Sequence, residues 1–215
     1  MMMTRSIATL AALILGAASV ANAATIVQFS GATNGDLATG TASITLDGSG
    51  TFISGELTNT APFDAQITGF GFDIGAGNLN GYTGSISAPV GTSFSFSDGD
   101  LGNLPQFNTT DLDFGYITGA NFAGGDPNSG LDNFETLSFI VNGSFSGLTE
   151  EEIASSLFVR FQRVGESGTL SDVSTPDSGL PLTPVPEPAS MMLLGSGLAI
   201  LARRRYKAHR AAEGL

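Results

Sequence analysis

The residues able to do chemistry are few, and their placement excludes most of it. The only histidine is His209, the only lysine is Lys207, and there is no cysteine. His209 stands beyond Arg203-Arg204-Arg205, far from the serines and carboxylates of the central region. That region therefore has no Ser-His-Asp or Cys-His arrangement, no imidazole metal ligand and no catalytic lysine. What it has is carboxylate. Residues 24–184 hold eighteen of the twenty acids against only Arg160 and Arg163, a net charge near −16 where the whole chain has −12. Such a surface repels nucleic acid and anionic lipid. Glycoside hydrolysis uses a carboxylate pair, but acids this scattered single out no two that would face each other. Asp98 with Asp100, and Asp111 with Asp113, are candidates for calcium, as is the oxygen-rich run Asp126, Asn128 and Asp132. Calcium takes about six to eight oxygens, and no EF-hand or nonapeptide repeat is spelled out. Asp-Gly and Asp-x-Asp also serve ordinary turns, and that reading is adopted: no metal, no cofactor and no enzyme are expected. Asp177-Ser178-Gly179 spells part of an aspartic-protease loop but lacks the apolar strand before it. The glycines between Gly69 and Gly77 lack phosphate-binding spacing and a following helix.

The elements that would carry these residues read as β throughout. Short apolar–polar alternations are punctuated by Gly, Asn, Asp and Pro. Ile44 and Leu46 alternate with polar residues up to Asp47-Gly48-Ser49-Gly50, a hairpin turn, and Phe52 to Thr58 should pair back. In Ile67 to Ile74 the two-residue period puts Phe70, Phe72 and Ile74 on one face. The other face has Gly69 and Gly71, where a neighbouring backbone can come close. Gln66 falls at the polar edge of this strand. Phe94 and Phe96 alternate with serines; Leu137, Phe139 and Val141 share a face, as do Leu157, Val159 and Phe161. Thr149 to Glu152 fits a capping box at the start of one short helix. About nine strands are expected, as a β-sandwich or jelly roll of one domain over residues 24–170. From Ser171 to Pro184 the composition turns to Pro, Ser, Thr, Asp and Gly, which reads as a linker.

Both ends of the chain differ from this body. Met1 to Arg5 carries one positive charge, Ile7 to Val20 is apolar, and Ala21-Asn22-Ala23 is a small-x-small site. These are the parts of a secretory signal peptide over residues 1–23, cleaved by signal peptidase before Ala24. At the other end, residues 185–210 hold Pro186-Glu187-Pro188, an uncharged run Ala189 to Ala202, and the block Arg203-Arg204-Arg205. The prolines impose an extended, accessible backbone. A basic block on one side of an apolar run marks the cytoplasmic side of a membrane. As a helix the run spans about 21 Å, short of the roughly 30 Å hydrocarbon core. Snorkelling arginines and local thinning close part of that gap, so a C-terminal transmembrane helix is expected.

Pro-Glu-Pro, a short span, an arginine cluster and the order in which they come resemble the C-terminal sorting signal of the PEP-CTERM proteins of Gram-negative bacteria. The resemblance covers only this tail. It implies recognition by a membrane-embedded exosortase, with Pro186, Glu187 and Pro188 as the motif and Arg203, Arg204 and Arg205 as the stop. Within the body, Ile67 to Asp73, Asn121 to Gly125 and Phe158 to Gly165 are similar to a pattern in the cistern-type group of PEP-CTERM ectodomains. That group often has a cysteine pair, which this chain lacks, and the resemblance implies no activity.

The expectation is thus an exported, non-enzymatic surface or extracellular-matrix protein. It would pass transiently through the inner membrane, and the family's association with exopolysaccharide suggests a polysaccharide partner. A carbohydrate-binding module is the first rival. Its weakness is that Trp is absent and only Tyr82 and Tyr116 offer sugar-stacking rings in the body. A glycan-processing enzyme with a carboxylate pair is the second.

Overall fold

The computed structural model describes residues 24–75, 81–99, 101, 102, 104–107, 111–177 and 183–185. Residues 23–185 form one compact unit. Its strands are β1 (Ala24–Gly31), β2 (Gly35–Leu46), β3 (Phe52–Asn59), β4 (Gln66–Phe72), β5 (Thr83–Ser87), β6 (Ser95–Asp98), β7 (Phe114–Ile117), β8 (Thr136–Asn142), β9 (Leu157–Val164), β10 (Leu170–Pro176) and β11 (Thr183–Val185), with one helix, α1 (Glu150–Ser155). The all-β expectation holds. The division into two separate sheets does not: the strands join in one antiparallel ladder ordered β5-β8-β3-β2-β1-β10-β9-β4-β7-β6. The sheet curls until its two ends meet as a near-barrel. The Tyr116 hydroxyl on β7 reaches the carbonyls of Ser85 on β5 (3.0 Å) and Ile140 on β8 (2.8 Å). At Gly84 on β5 a Cβ would lie 2.2 Å from the Phe96 ring of β6, so the closure needs glycine there. Curling removes most of the exposed edge that an open sheet would offer to another chain.

The interior is filled by the alternating residues. Phe70, Phe72, Leu137, Phe139, Val141, Leu157, Val159 and Phe161 are all buried. Rings from distant strands meet: Phe70 stacks on Tyr116 at 4.9 Å and lies 5.2 Å from Phe139. Ile74 falls beyond the end of β4 but still packs against this core. Gly71 pairs with Gly115 of β7, and a Cβ at Gly115 would come within 2.4 Å of the Phe70 carbonyl oxygen. The close backbone approach expected opposite the phenylalanines is therefore present. Phe94 and Phe96 are half-buried against the core.

The local signals behave as their chemistry requires. The Asp47 carboxylate accepts N–H bonds from Ser49 (3.0 Å), Thr51 (2.5 Å) and Phe52 (2.7 Å), which closes the β2–β3 turn. The Ser49 hydroxyl, which also donates to it, is the largest cause holding this carboxyl well below the usual carboxylate range. Thr149 caps α1 and accepts from the Glu152 N–H, while Glu152 accepts from the Thr149 N–H (2.8 Å). Ile153 and Ala154 of α1 enter the main core.

The linker expected from Ser171 begins instead as a strand. β10 runs Leu170–Pro176 and pairs with both β9 and β1. Asp172, Val173 and Ser174 are completely buried. Their polarity is absorbed locally: the Asp172 carboxylate accepts N–H bonds from Thr33, Asn34 (2.5 Å) and Val173 (2.8 Å), and the Ser174 hydroxyl donates to the Ala38 carbonyl (2.7 Å). Pro176 sits at the strand end. With β11, the domain continues to Val185 rather than stopping at residue 170.

A second, smaller core joins Val173 of β10 and Ile117 of β7 to Leu101, Leu104, Leu112 and Phe122 from the loops around β6 and β7. Arg160 of β9, beside Val173 in the ladder, is 6 % exposed and donates to the Asp172 carbonyl (3.3 Å). Burial pushes this guanidinium down from its ordinary pKa, and the negative charge of Asp172 opposes the shift.

Candidate functional site: the domain edge that carries the tail

Of the processing residues read from the sequence, Ala24 alone lies among the described residues. Ala21, Ala23, Pro186, Glu187, Pro188, Arg203, Arg204 and Arg205 lie outside them, as do the apolar runs expected to form the signal and membrane helices. Among the described residues no helix is long and apolar enough to cross a membrane.

What the fold does define is where the two ends leave the domain. β1 begins at Ala24 and β11 ends at Val185. These residues are direct partners in an antiparallel pair, followed by Thr25 with Pro184 and Ile26 with Thr183. On its other side β1 pairs with β2, Thr25 opposite Ile44 and Ile26 opposite Ser43. Further along, β1 pairs with β10, Phe29 opposite Pro176. β10 and β11 thus line one side of β1 in succession. The Asp177 N–H donates to the Gln28 carbonyl (2.9 Å), so the even-numbered residues of β1 turn their backbone groups to that side. Alternation then makes Ala24–Val185 and Ile26–Thr183 the hydrogen-bonded pairs. It also sets Pro184 opposite Thr25, and Pro176 opposite Phe29, where no donor is required. A protein-family model for the PEP-CTERM protein-sorting motif matches residues 184–205. The chain carries a PEP-CTERM sorting motif. The motif implies exosortase-dependent sorting to the cell surface, and the match starts inside β11, so the PEP-CTERM signal begins within the folded domain. No curated protein and no solved structure matches the chain.

The calcium candidates are spread over structural duties. The Asp98 carboxylate accepts N–H bonds from Gly81 (2.7 Å) and Tyr82 (3.2 Å), and that of Asp113 accepts from Ile74 (2.8 Å). Asp111 is exposed, and Asp100 lies outside the described residues. In the third loop, Asp126 caps a 3-10 turn over Pro127–Ser129 and accepts from the Asn128 N–H and the Ser129 hydroxyl, both 3.0 Å. The Asn128 bond is the largest cause holding the Asp126 carboxyl below its ordinary pKa. Asp132 accepts from the Gln66 amide (2.5 Å). Among the described residues no three His, Cys, Asp or Glu side chains come together as a metal would need.

Neither tyrosine is a sugar platform. Tyr82 and Tyr116 are 6 % and 1 % exposed, built into the core with their rings against Phe114 and Phe70. Among the described residues, one concave surface was not signalled by any motif. It is an open polar groove of about 490 Å³ between Pro62–Asp64, Asn133 and the turn from Arg163 to Gly168. Arg163 donates to Asn128 Oδ1 (2.7 Å) and Gln66 Oε1 (3.4 Å), and its φ of 55° is left-handed. Phe134, next to the groove residue Asn133, is 74 % exposed with a φ of 63°. The one hint in the sequence is that Arg163 is one of only two cations in the body. The three segments resembling the cistern-type pattern are neighbours in space. β4 pairs with β9 over Gln66–Phe72, and a Cβ at Gly125 would lie 2.6 Å from the Thr68 side chain.

Proposed function

We propose that this PEP-CTERM chain is a non-enzymatic protein of the cell surface or extracellular matrix, delivered through a membrane-anchored precursor and retained by exopolysaccharide. The observation that carries the reading is the sorting motif joined without a spacer to a closed, strongly acidic all-β domain. Support for a non-enzymatic role comes from the carboxylates, several of which serve turns and caps. The polysaccharide partner rests on the PEP-CTERM resemblance. The test is fractionation of a tagged full chain in cells with and without polysaccharide synthesis. The protein should sit in the matrix of the parent and move to the medium when synthesis is abolished. An unchanged distribution would contradict matrix retention.

A second reading, glycan binding by the domain itself, is favoured by the groove beside Arg163 and the exposed ring of Phe134. It calls for weaker binding of the matrix polysaccharide by Phe134→Ser and Arg163→Gln than by the parent chain.

A further inference from the structure

Among the described residues β11 is the shortest strand, three residues long, and its one strand partner is β1. Its two hydrogen-bonded positions are Thr183 and Val185, whereas β1 and β2 are paired from Thr25 to Phe29 and again at Gly31. Local opening starts where few backbone bonds hold an element, so β11 leaves β1 well before β1 leaves β2. Chain connectivity adds a second consequence. The bond before Ala24 and the bond after Val185 belong to directly paired residues, about 5 Å apart across the ladder. The junction of the signal peptide and the entrance to the sorting motif therefore meet at one place on the domain.

Enzymes that read an extended chain commonly do so by pairing with a backbone edge. With β11 in place, both edges of Thr25–Ile26 are occupied, one by β2 and one by β11. Removal of the signal peptide needs the chain around Ala24 to be open. That step is hydrolysis of the Ala23–Ala24 amide, water supplying the carboxylate of one residue and the amine of the other. The edge of β11 that carries the Thr183 and Val185 backbone groups is the one held by β1. Its opposite edge has Pro184, which has no N–H to offer. An enzyme pairing with the approach to Pro186 thus competes with β1 for the same groups.

We propose that β11 is a detachable strand that orders the two processing events: the signal peptide is removed before β11 closes on β1, and the tail is read only when β11 opens again. This rests on the sorting reading above. Because the chain has no cysteine, Ile26→Cys with Thr183→Cys would form one defined crosslink. These residues are direct partners, and hydrogen-bonded pairs stand about 5.5 Å apart at Cα, within disulfide reach. In cells making the full chain, the oxidised double variant should begin at Ala24 yet keep its tail. The two single variants, and the double variant grown with a thiol reductant, should be processed like the parent. Equal tail processing in the oxidised double variant would overturn the proposal. If the parent itself keeps its tail, the sorting reading fails, and hydrogen exchange on the purified full chain decides the strand separately. Thr183 and Val185 amides exchanging at least tenfold faster than the β1–β2 amides would support detachment; equal rates would overturn it.

Discussion

Phe70→Ala is the most informative single perturbation of the fold. The Phe70 ring is completely buried on β4. It stacks on Tyr116 of β7 at 4.9 Å, lies 5.2 Å from Phe139 of β8 and meets Phe94 edge-on at 5.9 Å. β4 and β8 are far apart in the strand order, so this ring ties together the two ends of the curled sheet. Truncating a buried phenylalanine costs about 3–5 kcal/mol. The three ring contacts, worth about 0.5–1.5 kcal/mol each, place this case near the upper end. A domain is held by about 5–15 kcal/mol in all. With a urea slope of about 2–3 kcal/mol per molar, the unfolding midpoint of residues 24–185 should fall by roughly 1.5–2 M with the slope unchanged. Val90→Ala is the control, because Val90 is fully exposed, and its cost should stay under about 0.5 kcal/mol. Gln66→Ala is not neutral despite its place at a polar strand edge, since Gln66 bridges Arg163 and Asp132. Equal midpoints for Phe70→Ala and Val90→Ala would refute the packing argument. No cooperative transition in the parent would refute the globular domain.

Two further outcomes follow from the turn and the N-terminal junction. The folded-state pKa of Asp47 is depressed, so its contribution is complete above the unfolded value of about 3.9 and is lost as pH falls below it. Melting temperatures measured between about pH 6 and pH 2 should therefore drop less steeply on the acid side for Asp47→Asn than for the parent; superimposable acid limbs would contradict the turn's role. Replacing Ala21 and Ala23 by leucine should leave the precursor uncleaved, because the peptidase pocket accepts small side chains, whereas the parent should show Ala24 at its N-terminus by mass spectrometry.

What the sequence made legible was local. The alternation of Phe70 with Phe72, the Asp47 turn and the Thr149 capping box each depend on residues a few positions apart, and each folds as its chemistry requires. The single curled sheet depends on pairings such as β4 with β9 and β3 with β8, for which no local signal exists. β10 was hidden because Ser171, Asp172, Ser174 and Thr175 have the composition of a linker. The N–H groups of Thr33 and Asn34, brought from the other end of the domain, join that of Val173 in satisfying the buried Asp172 carboxylate. Tyr82 and Tyr116 looked available to sugars because a tyrosine's burial is set by what folds over it. The groove at Arg163 joins residues from three separated stretches, and none of them carries a motif. The tail was legible because Pro186-Glu187-Pro188, the apolar run and the arginines are contiguous.

Exosortase-dependent sorting requires that Pro186-Glu187-Pro188 be read as a motif rather than serve as the lead-in to an anchor. The direct measurement is the intact mass and membrane fraction of the Glu187→Gln chain beside the parent. Loss of the carboxylate should leave the tail attached and the protein in the inner membrane, while the parent reaches the cell surface without its tail. The same mass and the same fraction for both chains would contradict the claim.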